Sequence, residues 1–576
     1  METMTCAEVR QMLVACTDKI IRNEPYLTRL DSAIGDGDHG VGMLNGMQAA
    51  KACLQDSENE TNVYALYTKM SAAMQQAMGG ASGMIFSTLF AGDAELRAPS
   101  PTLTPALLAQ QMAAGLQAIQ DLGHAHPGDK TMVDALYPAV IAMQESCGGT
   151  FEELLTAAVR AAGEGVEKTK QYVAKFGRAK SLGERAIGHQ DAGATSTFLI
   201  LQQMRDFVTG EVSEDPALPQ DEPVAGEPAK GDIKWKKKII NDPHAVVAEE
   251  TEGFLAAFGA QIAAVPGVNG LVKKSIPTGK TALVIGGGAG HEPMFGFFLG
   301  ENLADAAASG NVFTSPDPVT IEETAKAAQR GAGVLFVYGN YAGDILNFDK
   351  AAKKLEQQGI PTKTVRVWDD VASAPKDRIT DRRGIAGDVF VLKIAGAACA
   401  SLPLAEACRV TEKARDNTWS IGVGLEGATI PGQKDPIFSL PPDEMEYGLG
   451  IHGEPGIRRI KMETADEIVE TLLAELLKNS DIQPGDTVCS YVNGLGSTTL
   501  MELMIMNRKL AQLLRQKGIK VHDMEVNSLV TTMEMAGASI TLLKLDDELK
   551  AYYDVPCDSP YYKKSGAAKG GEPVGL

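Results

Sequence analysis

TALVIGGGAGHEPMFG, residues 281–296, opens as an apolar, β-branched run and breaks into glycine before reaching a histidine. Such a run reads as a buried strand that ends in three glycines, after which His291 emerges at the carboxyl end, where open α/β sheets bind their ligands. Similar runs follow at VLFVY (334–338), TKTVRVW (362–368) and VFVLKI (389–394), each alternating with an Ala-rich helical stretch. This alternation predicts an α/β sheet for the second half of the chain. That half is long for one domain and is expected to be bilobed.

Upstream the texture is helical. Thr5 to Asn23, Val63 to Met78 and Thr104 to Leu122 carry apolar residues at three- and four-residue spacing, and strand signals are nearly absent. Between the halves, GEVSEDPALPQDEPVAGEPAKGD is rich in Pro and acid and has no period, so it reads as an extended linker. The expected division is a helical domain at 1–209, the linker at 210–232, an α/β domain at 233–562 and a polar tail at 563–576. No internal repeat is evident.

A chain of 576 residues with net charge −20 lacks the basic face that nucleic-acid binding requires. Its apolar stretches are interrupted well before the ~20 residues of a membrane span, and METMTCAEVR has no apolar core of a signal peptide. The eight cysteines show no C-x-x-C pair or clustering, which suits a reducing compartment. A cytoplasmic protein is the expectation.

Two sets of residues carry chemistry. In DSAIGDGDHG, Asp31, Asp36 and Asp38 are interleaved with Gly35, Gly37 and Gly40, which make a helix improbable and let the acids converge. An acidic surface turn or a helix N-cap is one reading; the other is an oxygen-only site for a hard cation such as Mg²⁺. A calcium EF-hand fails, because Gly40 and Met47 stand where loop acids belong. MGGASG (78–83), PGDKTM (127–132) and GHQDAG (188–193) add glycine-rich sites able to present amides to phosphate, which favours a nucleotide–metal site.

In the second half, GNYAGD follows the VLFVY strand and places Asp344 near the sheet's carboxyl end, and YGLGIHGEPG frames His452 with glycines. Each histidine reads either as structural or as open to close approach by a small ligand. Several decoys fail. Lys274 stands where the first glycine of a phosphate loop would be, and neither Gly422/Gly424/Gly427 nor Gly448/Gly450/Gly453 opens a helix. Met84 breaks the near match to a nucleophile elbow.

DSAIGDGDHG, GGASG, GDKTM and GRAKSLGERAIGHQDAGA resemble, in order, the nucleotide-binding domain of the dihydroxyacetone kinases. The runs from KKIINDPHAVV through FTSPDP, GNYAGDILNF and GIHGEPGI to SLVTTMEMAGASITLLKLDDEL resemble that family's substrate domain. The resemblance implies an N-terminal, all-α antiparallel helical barrel holding ATP and Mg²⁺, fused ahead of a bilobed α/β substrate domain. It implies Asp31, Asp36 and Asp38 as metal ligands. Nucleotide contacts would come from His39, Gly40, Val41, Gly42, Ala81, Ser82, Gly123, Thr131, Met132, Arg178, Asp191, Ala192 and Gly193. The ketose would lie against Gly288, Ala289, Gly290, His291, Asp344 and His452. His452 would trap it as a hemiaminal, His291 would assist, and Asp344 would act as base. A homodimer is implied. Two departures stand out: Ala192 where the family has Pro, and Gly339 where it has Lys, which suggests a four-carbon ketose such as erythrulose. A non-catalytic or phosphocarrier-coupled member and an FMN cyclase activity are the alternatives.

Overall fold

The computed structural model describes residues 1–35, 37, 39–216 and 238–566, apart from the side chains of Arg178 and Ser181. Asp36 and Asp38, most of the expected linker and the end of the expected tail lie outside the described residues. The chain divides into two compact units, 1–231 and 232–576.

The first unit is helical: α1 (Cys6–Arg22), α2 (Glu24–Ser32), α3 (His39–Asp56), α4 (Val63–Met78), α5 (Gly80–Ala91), α6 (Pro105–Gly123), α7 (Val133–Ser146), α8 (Phe151–Thr169) and α9 (Ala192–Thr209). Capping boxes start α1 (Thr5 with Glu8) and α8 (Thr150 with Glu153), each worth about 1 kcal/mol. From α3 onward each helix packs on the next, and the cycle closes through α9, α1 and α3. Inside lies a core rich in methionine, including Met12, Met43, Met47, Met70, Met74, Met143 and Met204. Thioether chains fill irregular gaps between helices well. One end is tied by a two-residue pairing of β1 (Met4–Thr5) with β2 (Thr102–Leu103). Main-chain bonds from Val63 to Ser100, Cys6 to Pro101 and Phe151 to Met1 extend this tie, at 2.9, 3.0 and 3.0 Å.

The helices invade the acidic loop further than its glycines suggest. Asp31 sits in the last turn of α2, while Gly40 and Gly42 belong to the first turns of α3. A Cβ at Gly40 would run into Thr28 and the main chain of Glu24. Glycine here permits close packing of α2 against α3 rather than a turn.

The second unit holds two six-stranded sheets. The first comprises β3 (Ile262–Ala264), β4 (Gly270–Lys273), β5 (Ala282–Ala289), β6 (Ala306–Val312), β7 (Val334–Gly339) and β8 (Thr362–Val367), in the order β3-β4-β6-β5-β7-β8. Its β6-β5-β7-β8 portion is parallel. With it go α10 (Val246–Phe258), α11 (Pro318–Ala328), α12 (Ala342–Gln357), α13 (Asp388–Ser401) and α14 (Leu404–Asp416). The second sheet comprises β9 (Thr418–Glu426), β10 (Glu444–Tyr447), β11 (Arg458–Lys461), β12 (Thr487–Gly494), β13 (Lys520–Asn527) and β14 (Ala536–Leu545), in the order β11-β10-β9-β14-β12-β13. Here α15 (Ala465–Asn479) and α16 (Leu500–Gln516) cover one face, and α17 (Asp547–Tyr553) follows β14.

The cores show the layering. Val284 and Phe336 pack with Ile321 of α11 and Phe348 of α12 on one face of the first sheet. On its other face Leu283, Ile285 and Val337 share a core with Val389, Phe390 and Ile394 of α13 and with Cys489, Tyr491 and Leu543 of the second sheet.

VFVLKI, expected as a strand, therefore lies inside a helix. Every residue from Asp388 to Cys399 is buried, so the segment is apolar all round and carries no helical stripe. A short β-branched run of this kind cannot be told from a buried helix by periodicity. The other three strand expectations coincide with β5, β7 and β8.

Candidate active site

Two separate constellations emerge, one in each unit.

In the helical unit, the expected nucleotide and metal residues that the structure describes lie at or beside the junctions of α2 with α3, α4 with α5, α6 with α7, and α8 with α9. Asp31 accepts the main-chain N–H of His39 at 3.3 Å. The His39 ring bonds Ser196 through Nε2 at 2.8 Å and approaches the Ser82 hydroxyl at 3.5 Å. Burial holds the His39 pKa below the ordinary imidazole value, against the pull of Asp31. Asp191 caps α9 by accepting the N–H of Ala194 at 2.7 Å. Burial pushes its carboxyl up to about 7, with Asp134 and Asp31 adding to the rise. A Cβ on Gly193 would stand 3.5 Å from Met132, which brings the α7 and α9 starts together.

Residues that sequence reasoning missed fix these loops. Lys130, buried and at φ 59°, donates to the carbonyls of Thr169 and His189 at 2.6 and 2.5 Å. Asp134 accepts the N–H groups of Thr131 and Gly128 at 2.8 and 2.5 Å. Lys130 lay within a motif already singled out, and Asp134 stands three residues after Thr131, as a helix-start acid does. Gly123 closes α6, where a Cβ would touch Ile85. Val41 and Gly42 lie in the first turns of α3, Ala81 in α5 and Ala192 in α9. Arg178 starts a short 3₁₀ segment, its side chain outside the description. Among the described residues no three metal-binding side chains converge.

In the second unit, His291 follows β5 and His452 lies between β10 and β11; both are buried. Gly290 and Gly453 beside them have φ of 93° and 82°, a region that costs side-chain-bearing residues strain. The two Nε2 atoms stand 3.0 Å apart. Nδ1 of His291 meets the carbonyl of Thr531 at 2.7 Å, and Phe313 stacks on the His291 ring at 5.0 Å. Tyr341, at the start of α12, sets its ring edgewise against His452 and donates its hydroxyl to the carbonyl of Gly384 at 2.9 Å.

Behind His452 stands Glu454. Its Oε2 accepts the main-chain N–H of His452 at 3.0 Å, and its Oε1 lies 3.3 Å from Nδ1. Arg383 is 3.6 Å from Glu454 and holds Asp370 at 2.7 and 3.0 Å. Sequence reasoning named none of these partners, although Glu454 is two residues from His452 in the same quoted motif.

Asp344 is buried in the first turn of α12, three residues after Tyr341. Near it, Asp388 opens α13, and burial, reinforced by Asp369 and Asp344, raises its pKa well above the carboxylate range. A Cβ on Gly339 would lie 3.2 Å from the Tyr341 ring and 3.7 Å from Asp388. Gly288 and Ala289 close β5 and line a small cavity of about 30 Å³ with Glu250, Glu292 and Phe254. Neither site histidine lines that cavity, so the expected ketose contacts divide between its wall and the histidine pair.

Comparison with known proteins covers both units. The Dak1 domain model matches residues 252–561 and the DAK2 domain model residues 33–206. An L-erythrulose kinase from Pectobacterium atrosepticum is 42% identical over 344 residues, spanning 58% of this chain and 58% of that protein. The dihydroxyacetone-binding subunit of a PTS-dependent dihydroxyacetone kinase from Listeria innocua is 40% identical over 330 residues, 57% of this chain and 99% of that subunit. The crystal structure of the dihydroxyacetone kinase from C. freundii in complex with AMP-PNP and Mg²⁺ superposes with a TM-score of 0.54 at 28% identity, covering 59% of this chain and 63% of that one.

Proposed function

Because the chain belongs to the dihydroxyacetone kinase family, with a DAK2 domain ahead of a Dak1 domain, we propose that it transfers the γ-phosphoryl group of ATP to a terminal hydroxyl of a short-chain ketose. The observation that carries this reading is the buried pair His291–His452, backed by Glu454, in the Dak1 region. An imidazole nitrogen with a second imidazole 3.0 Å away suits addition to a carbonyl carbon. We assign capture of the ketose, as a hemiaminal, to His452 and assistance to His291. A polyol such as glycerol has no carbonyl carbon to accept the imidazole and would be refused.

Asp344 would take the proton of the attacking hydroxyl. A carboxylate within reach of that hydroxyl contributes ~10²–10⁴-fold to such a step. ATP and Mg²⁺ are assigned to the helical unit, residues 1–209, read as an antiparallel barrel whose loops carry the site. The donor chemistry fits: Asp191 lies within electrostatic reach of the carboxylates of Asp134 and Asp31, with Lys130 as an opposing cation. Asp31, with Asp36 and Asp38, would hold the metal, and the starts of α3, α5, α7 and α9 would face the nucleotide. When bound, the metal supplies charge neutralisation for the phosphoryl group. The α/β domain, 233–562, would bind the ketose, and a homodimer would be the working assembly, read out as mass in solution.

A four-carbon ketose is favoured as substrate by Gly339, which leaves the wall between Tyr341 and Asp388 without a side chain. The deciding experiment is ATP consumption by the purified chain, with no partner protein, across dihydroxyacetone, both erythrulose enantiomers, glyceraldehyde and glycerol. Turnover of ketoses alone supports the reading, and preference for either erythrulose supports the larger substrate. Phosphorylation of glycerol at comparable kcat/KM would discard it.

A further inference from the structure

The hydrogen-bond geometry around His452 fixes a proton inventory. A carbonyl oxygen only accepts, so His291 carries its proton on Nδ1, pointed at Thr531. Glu454 faces the Arg383 guanidinium and accepts the His452 main-chain N–H, the setting of an ionised carboxylate. Its second oxygen therefore accepts from Nδ1 of His452. With both Nδ1 positions protonated, neutral rings would present two lone pairs to each other at 3.0 Å. One additional proton between the Nε2 atoms resolves that repulsion. The pair then bears one positive charge, and Glu454 supplies a negative one 3.3 Å from Nδ1 of His452.

We propose that Glu454 is a positioning residue that completes a His291–His452–Glu454 relay. It keeps the proton of His452 on Nδ1 and stabilises the positive charge that reaches this ring during ketose capture. The inference rests on the capture reading above. In the step, the Nε2 lone pair of His452 forms a bond to the carbonyl carbon and the C=O π pair moves to oxygen. The proton shared by the Nε2 atoms passes from His291 to that oxygen. His291 ends neutral, and His452, bonded at Nε2 and protonated at Nδ1, carries the charge beside Glu454. Charge has moved from one ring to the other and no group is left over. The Arg383–Asp370 pair balances itself and holds Glu454 in place. Tyr341, packed on the same imidazole, is a neutral phenol: burial, then Glu454, raises its pKa well above the ordinary value.

The test follows the carbonyl carbon directly. Full-length protein is mixed with dihydroxyacetone carrying carbon-13 at the carbonyl, and the tetrahedral adduct is measured by NMR across pH for wild type, E454Q and E454D. Wild type is expected to form the adduct. E454Q should lose roughly a hundredfold or more of it, as happens when the orienting carboxylate of a serine-protease triad is neutralised. What remains should be lost as pH rises, at a lower pH than in wild type, because a shared proton without its anion is released earlier. E454D should restore part of the adduct. If E454Q does not fold, E454D is read alone, and a wild-type pH profile for it overturns the inference. An equal adduct in folded E454Q and wild type overturns the relay while leaving capture standing. No adduct in wild type overturns capture and the relay together.

Discussion

The ring of Tyr341 stands at 84° to the imidazole of His452, with 4.9 Å between centroids. Its position depends on residue 339, since any Cβ there would press on the Tyr341 ring at 3.2 Å. Gly339→Lys should therefore push Tyr341 toward His452 and narrow the wall. KM for four-carbon ketoses is expected to rise about tenfold more than KM for dihydroxyacetone, within the range of one methylene's worth of space. Steady-state kinetics on both substrates gives the answer, and a parallel shift would remove Gly339 as a size determinant.

Asp344→Asn keeps the shape of the α12 start while removing a base. The expectation is a fall in kcat of about 10²–10⁴-fold with little change in KM. A rise in KM with kcat unchanged would mean that the residue binds rather than accepts a proton.

Asp31→Asn removes one carboxylate and weakens the acceptor for the His39 N–H. Calorimetric titration with ATP and Mg²⁺ should show weaker nucleotide binding, with the loss concentrated in the magnesium-dependent part. Equal affinity for ATP with and without the metal in wild type would contradict the assignment.

Glu250 lies in the cavity beside Glu292, and burial followed by repulsion from Glu292 pushes its carboxyl up to about 8. The folded state therefore binds a proton that the unfolded chain releases near the ordinary glutamate value. Stability must fall as pH rises from about 4.5 to about 8. Glu250→Gln should flatten this decline and melt higher than wild type at pH 8, while the two match at low pH. Melting curves at several pH values check it.

The sequence was most legible where local signals and tertiary packing agree. Val63–Met78 is a helix between an Asn62 cap and Gly79, and both ends are visible as residue types. β5, β7 and β8 were legible because glycine or polar residues bound their apolar runs. α13 was not, because a helix between two sheets loses the polar face that betrays its period. For the site, glycine frames singled out His291 and His452, whose Nε2 atoms the fold brings to 3.0 Å of each other. Arg383 and Tyr341 gave no such signal. They meet His452 and Glu454 from segments distant in the chain, and only the fold shows that meeting.

The closed cycle of helices has an evolutionary reading. Candidate residues occupy alternate helix junctions, while the segments at 57–62, 97–104 and 147–150 carry none; beside them Val63 binds Ser100, Cys6 binds Pro101 and Phe151 binds Met1. Drift, insertion or a grafted tag at Gly148–Gly149 leaves the candidate loops untouched, whereas a one-residue deletion at 124–132 would disturb several of them at once. Orthologous sequences should accordingly vary in length in the first set of connections and hold it in the second.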